Sequence, residues 1–225
     1  MLVSVVIYAP LLLPTALLPY PLRYRLISQW ARFQVFLLKI LCGLDYRVEG
    51  LEHLPPGAAI ILSKHQSAWE TIAFQQIFPA QTWVLKRELM WIPLFGWALA
   101  LTRPIAIDRG AGRKAVEEVV TQGRERLQSG IWVVVFPEGT RVAPGTRKRY
   151  AMGGAILAAE TGYPVVPVAH NAGSFWLRRG FLKKPGTVRV VIGPVIDPRG
   201  KKAEEIIKQV EKWIENRMVE LEGGV

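Results

Sequence analysis

Two residues in the stretch Ser63-Lys64-His65-Gln66-Ser67-Ala68-Trp69-Glu70 have types that could move a proton. An imidazole exchanges a proton near neutrality, and a carboxylate on one ring nitrogen fixes the tautomer and leaves the other nitrogen free. That is general-base chemistry, which typically contributes about 10²–10⁴ in rate. The spacing restricts how the pair can meet. Inside one ideal helix, steps of about 100° put positions 65 and 70 off a shared face. His65 must therefore precede the first turn while Glu70 lies within it. The same letters also spell Ser67-x-x-Glu70, a capping box in which the carboxylate reaches back to the serine amide. This stretch alone leaves both readings open.

Other chemistry-bearing residues follow apolar runs in the same manner. Ile131–Val135 leads into Phe136-Pro137-Glu138-Gly139-Thr140-Arg141, a turn offering backbone amides, a hydroxyl and a guanidinium. Arginine suits a phosphate because it binds bidentately and keeps its charge. Ile105-Ala106-Ile107 ends in Asp108-Arg109, and Trp83-Val84-Leu85 ends in Lys86. Each taken singly could be a plain turn or a surface ion pair. In a parallel sheet, however, strand exits share one edge, where ligands bind. A base beside fixed cations there describes a site for taking a proton from a phosphorylated alcohol.

The elements needed to build that edge are legible. Short apolar runs recur at Tyr46–Val48, Ala58–Leu62, Thr82–Leu85, Pro104–Ile107, Ile131–Phe136, Val165–Ala169 and Val188–Ile192. Between them lie helical patterns at Ala68–Phe78, Arg113–Gln128 and Ala151–Thr161, and a last amphipathic one covers Ala203–Leu221. Alternation of this kind predicts an α/β fold: a mixed, mostly parallel sheet of about seven strands flanked by helices. Residues 45–225 form that domain in this reading, and residues 1–44 a hydrophobic, amphipathic membrane anchor.

Met1–Leu22 carries no charge, but Pro10, Pro14, Pro19 and Pro21 interrupt it. A straight spanning helix accommodates so many prolines badly, and the charged start of a signal peptide is missing. Whether the segment spans a bilayer or lies in one leaflet is not set by its letters. In Leu22–Leu44, Leu26, Trp30, Phe33, Leu37 and Leu41 share a helical face beside Arg23, Arg25, Arg32 and Lys39. Apolar residues with basic neighbours suit an interfacial helix; a packed core helix is the alternative.

The 225 residues carry a net charge of +11, with charged residues at 21% and pI near 10.0. Mean hydropathy is +0.19. Basic and apolar together favour an anionic membrane surface over nucleic acid as a partner. Cys42 is the single cysteine, so disulfides and cysteine-rich metal sites are excluded.

His65-x4-Glu70, Ile105–Arg109, Phe136–Arg141 and Val165-Val166-Pro167-Val168 occur in this order, and together they resemble the glycerolipid acyltransferase family over roughly residues 45–195. The resemblance implies an O-acyltransferase of phospholipid biosynthesis, acting on lysophosphatidic acid with acyl-CoA or acyl carrier protein as donor. In it His65 is the general base, Glu70 orients it, and Lys86, Arg109, Glu138, Gly139, Thr140 and Arg141 bind substrate. It also implies direct attack without an acyl-enzyme, cofactor or metal, at the cytoplasmic face of a bacterial inner membrane. Two letters depart from the family pattern. Glutamate stands at 70 where aspartate is more usual, and Lys64 where asparagine is more usual.

Rival readings are few. No Gly-x-Ser-x-Gly elbow supports a serine hydrolase. Glycerol-3-phosphate or another lysophospholipid is an alternative acceptor within the family. A non-catalytic basic membrane coat is the alternative from another class. Arg178, Arg179, Lys183 and Lys184 form a basic patch that no nucleic-acid motif frames.

Overall fold

A computed structural model describes residues 2–223, with the side chains of Leu2 and Val3 left aside. Seven strands form one sheet: β1 (Leu44–Glu49), β2 (Ile60–Ser63), β3 (Gln81–Lys86), β4 (Ile105–Ile107), β5 (Trp132–Val135), β6 (Val165–His170) and β7 (Gly186–Ile192). Their order is β1-β7-β6-β2-β5-β3-β4. Every pairing is parallel except β6 with β7. β2, β5 and β6 are buried along their whole length, as continuous apolar runs in the middle of a covered parallel sheet should be.

Alternation along the strands builds two cores. From β2, Ile61 faces one side together with Val134 and Val166, while Ile60 and Leu62 face the other with Val133, Val135 and Val165. The first side is covered by α2 (Tyr20–Cys42) and α3 (Trp69–Ile77), through Tyr24, Val35, Trp69 and Phe74. The second is covered by α5 (Arg113–Gln128), α6 (Gly153–Thr161) and α8 (Ala203–Glu222), through Val119, Leu157, Ile206, Val210 and Ile214. Short helices α4 (Phe95–Ala100) and α7 (Ala172–Phe175) complete the list with α1 (Leu2–Leu12). The three-layer α/β architecture expected from the alternating pattern is thus the one observed, with strand limits moved by a residue or two.

The N-terminal segment is where sequence and structure diverge in detail. α1 continues through Pro10, a 3₁₀ turn covers Leu13–Leu17, and the chain restarts as α2 with Pro21 in its first turn, where a missing N–H costs nothing. Gly43, at φ 61°, ends α2 in the left-handed conformation that β-carbons disfavour. The buried stripe of α2 is Tyr24, Ile27, Ala31, Gln34, Val35 and Leu38. Of the face expected to be apolar and shared, Leu26, Phe33 and Leu41 point outward. The helix therefore has two apolar sides. One packs as a layer of the α/β core, through Tyr24, Ala31, Val35 and Leu38. The other is exposed, with Leu22, Phe36 and Ile40 beside the row Arg25, Arg32 and Lys39. Among the described residues, no helix is long and apolar enough to cross a membrane.

Candidate active site

The segment Lys64–Ala68 leaves the carboxyl end of β2 and enters α3, so His65 stands before the helix and Glu70 in its first turn. The two meet: His65 Nδ1 lies 2.8 Å from Glu70 Oε1. The same oxygen accepts the N–H of Gln66 at 2.9 Å and of Ser67 at 2.8 Å. One carboxylate therefore makes both the back-bond to the serine amide and the contact with the imidazole. The extra methylene of glutamate lets it fold back over the turn, which accommodates the longer side chain. Fully buried Glu70 would have its carboxyl raised by desolvation. The neighbouring imidazoles of His170 and His65 and the Ser67 N–H outweigh that and hold it below the ordinary carboxylate value. An ionised Glu70 accepts from His65 Nδ1–H, which leaves Nε2 as the basic nitrogen.

Two aromatic neighbours set the ring. Phe136 stacks on His65 with centroids 4.0 Å apart. His170 is buried behind Glu70, and its Nε2 donates to the Lys64 carbonyl at 2.9 Å while its Nδ1 accepts the Ala172 N–H at 3.3 Å. Burial depresses the His170 pKa, against the pull of the neighbouring Glu70 carboxylate. The ring thus pins the turn that carries Lys64 and His65.

His65, Phe136, Arg109 and Arg141 line a cavity of about 380 Å³. Most of the remaining lining is apolar: Ile72 on α3, Trp83 and Leu85 on β3, Phe95 and Leu99 on α4, and Tyr8, Leu12 and Ile27 from the N-terminal helices. Ser67, Thr71, Gln75 and Thr102 add polar side chains to it. A concave apolar space with a few convergent polar groups is the usual form of a small-molecule site. The space is bordered by an imidazole and two cations, so it can hold an apolar chain together with a reactive and a charged group.

The remaining sequence candidates separate. Arg109 donates to the Gly139 carbonyl, so the two motif loops touch, and burial lowers the Arg109 pKa from its very high value without threatening its charge. Gly139 adopts φ 67°, which presents that carbonyl without the strain a β-carbon would add. Thr140 is half-buried in the same turn and does not border the cavity. Glu138 does not face the cavity either. It is buried, with one oxygen 2.7 Å from Lys64 Nζ and the other accepting the His65 N–H at 2.8 Å. Lys86 is at a strand exit as expected, but on the surface, paired with Glu88 at 2.7 Å and outside the cavity. The cations that line the same cavity as His65 are Arg109 and Arg141.

What the sequence reading missed is mostly a matter of distance along the chain. Lys64, at the position where asparagine is more usual, is buried and bridges Glu138 and Glu215, the latter at 2.9 Å from α8. Burial alone would push its ammonium down, and the two carboxylates more than offset this and raise it. No local signal near Lys64 announces a partner at 215. The lining from 87 to 102, a 3₁₀ turn at Arg87–Trp91 followed by α4, was not read as structured either. Its positive φ at Leu94 has no signature in a leucine.

Residues 45–171 match the family described as Acyltransferase, and the chain belongs to that family. It is an acyltransferase by family, and the His65–Glu70 junction stands within the matched segment, while α2, β7 and α8 lie outside it. Among its relatives is the 1-acyl-sn-glycerol-3-phosphate acyltransferase of Pseudomonas aeruginosa, 44% identical over 91% of this chain and 81% of that protein. The human 1-acyl-sn-glycerol-3-phosphate acyltransferase alpha is 27% identical over 78% of this chain, which spans 63% of the human length. A crystal structure of the 1-acyl-sn-glycerophosphate (LPA) acyltransferase PlsC from Thermotoga maritima superposes with a TM-score of 0.79 at 25% identity, covering 97% of this chain and 90% of that one.

Proposed function

We propose that the protein transfers an acyl chain from a thioester to the sn-2 hydroxyl of lysophosphatidic acid, giving phosphatidic acid. The observation that carries this reading is the His65–Glu70 pair at 2.8 Å, with His65 lining a largely apolar cavity together with Arg109 and Arg141. The names of the relatives point to the same acceptor. Arg109 and Arg141 hold the phosphate, and His65 Nε2 takes the proton of the hydroxyl. The alkoxide oxygen then attacks the thioester carbonyl, and the tetrahedral intermediate expels the thiolate, which regains the proton from His65. Glu70 stabilises the imidazolium between these steps. No acyl-enzyme forms, because no nucleophilic side chain of this chain enters the sequence of steps. The donor is acyl-CoA or acyl carrier protein.

The location follows the substrate. The outer side of α2 offers Phe33, Phe36 and Ile40 beside Arg25, Arg32 and Lys39, the layout of a helix lying at an anionic interface. A second cationic and apolar tip, Phe181 and Leu182 between Arg178, Arg179, Lys183 and Lys184, is joined to the site by the Arg178 guanidinium on the Arg141 carbonyl at 3.1 Å. Both suit shallow attachment to the cytoplasmic face of a bacterial inner membrane, where acyl thioesters are made.

The test is thiol release from oleoyl-CoA by the detergent-purified protein, with and without lysophosphatidic acid, beside His65→Ala. Release that depends on the acceptor and vanishes in the variant is expected. Acceptor-independent release that survives in the variant would overturn the reading. Replacing the acceptor by glycerol-3-phosphate or other lysophospholipids reports its choice.

A further inference from the structure

Helix α8 lies outside the segment that matches the family, yet two of its carboxylates reach the loop that carries His65. Glu215 is buried, and its Oε1 accepts from Lys64 Nζ at 2.9 Å and from the Tyr150 hydroxyl at 2.9 Å. Its Oε2 lies 3.4 Å from Arg147 Nε. Glu222 stands seven positions on, about two turns along the same side of the helix. Its Oε1 accepts from Gln66 Nε2 at 2.7 Å and its Oε2 from the Gly145 N–H at 2.8 Å. The residues gripped, Lys64 and Gln66, are those on either side of His65.

The arrangement is closed on the other side too. Lys64 also meets Glu138 at 2.7 Å, and Glu138 receives the His65 N–H. Gln66 Oε1 accepts the Gly173 N–H at 3.2 Å. A β-carbon on Gly173 would come within 2.9 Å of the Gln66 β-carbon, so that approach is close-packed as well. Glu215 and Glu222 thus tie two loops to one rigid rod: residues 64–66, which carry the base, and residues 145–150, which follow the Arg141 turn.

We propose that α8 is a positioning element for the general base, with Glu215 and Glu222 holding the His65 loop and the Arg141 loop in one register. Lysine at position 64 is what extends the hold to Glu215, since its long side chain reaches across to α8. The inference rests on His65 acting as the base, and the experiment separates the two ideas. A misplacement of about 1 Å can cost on the order of 10²-fold in rate without weakening ground-state binding.

The experiment compares the full-length protein with Glu222→Ala, Glu222→Gln and Glu215→Gln. Turnover and KM for lysophosphatidic acid are measured beside melting temperature and ¹⁵N spectra of the histidine rings. With three histidines in the chain, His65→Ala assigns the signals. Glu222→Ala should lower kcat by about 10- to 100-fold with KM changed less than about twofold. It should also move the His65 ring signals from one tautomer to an averaged mixture, with melting still cooperative. Glu222→Gln, which keeps an accepting oxygen, should recover part of the rate. Unchanged His65 signals in both Glu222→Ala and Glu215→Gln would overturn the proposal, whether or not melting falls. Displaced His65 signals with His65→Ala still fully active would sustain the positioning role and sink the base assignment instead.

Discussion

The two halves of the site are built to different standards. On the base side every group is fixed: Glu70 is buried, its Oε1 takes three donors, and His65 is stacked, oriented and held by its own backbone N–H. On the cationic side, Arg109 is exposed and held to Gly139, while Arg141 lies half-buried with its backbone carbonyl tied to Arg178. Proton transfer demands heavy atoms within about 2.6–3.2 Å, whereas a guanidinium attracts a dianion over a longer range and from several angles. Rigidity has gone where distance matters most.

That contrast can be broken at its strong end first. His65→Ala should lose about 10³-fold in kcat while keeping its melting temperature within a few degrees, read by thiol release and calorimetry. Glu70→Gln should lose about 10²-fold, through the wrong tautomer, with about 1–3 kcal/mol of stability because a charged acceptor of amides is replaced. Denaturant titration checks the second part, and a normal rate with lowered stability would reduce Glu70 to a cap. On the looser side, Arg141→Ala should raise KM for lysophosphatidic acid by roughly tenfold while the thioester KM stays within about twofold. Equal loss for both substrates would show that Arg141 does not read the phosphate. Lys86→Ala, outside the cavity, should change either parameter less than about twofold, as suits a surface ion pair.

The smallest effect concerns acid. The Glu70 carboxyl is lower in the fold than in the unfolded chain. Its stabilisation is complete above the unfolded value, about 4.3, and is lost as pH falls through the folded one. The melting temperatures of the wild type and Glu70→Gln should therefore converge on acidification below that value. A gap that stays constant down to pH 3 would mean the carboxylate charge contributes nothing.

The parts of this site that could be read from letters are those made by neighbours in the chain. The His65–Glu70 pair, the strand exits at Arg109 and Arg141 and the seven strands all depend on local pattern and on the rule that parallel strands share an exit edge. Glu138 illustrates the limit. Its place in the Phe136–Arg141 turn suggested a ligand to substrate, yet it turns inward because Lys64 and the His65 N–H satisfy it there. Leu26, Phe33 and Leu41 show the same thing for a helix: periodicity found an apolar face, and tertiary packing chose another one to bury. Pairs such as Lys64–Glu215 and Gln66–Glu222 span about 150 residues and leave no local trace.

The pairing of β1 carries a consequence for synthesis. Among the described residues its only neighbour in the sheet is β7, with Leu44 opposite Gly186, about 140 residues later. At ordinary translation rates of about 5–20 residues per second, that strand and the greasy helices before it wait on the order of ten seconds for their partner. Such a delay exposes a strand edge and apolar helix faces together. Any apolar surface that covers the helices during that interval would therefore act as a folding chaperone for this part of the chain.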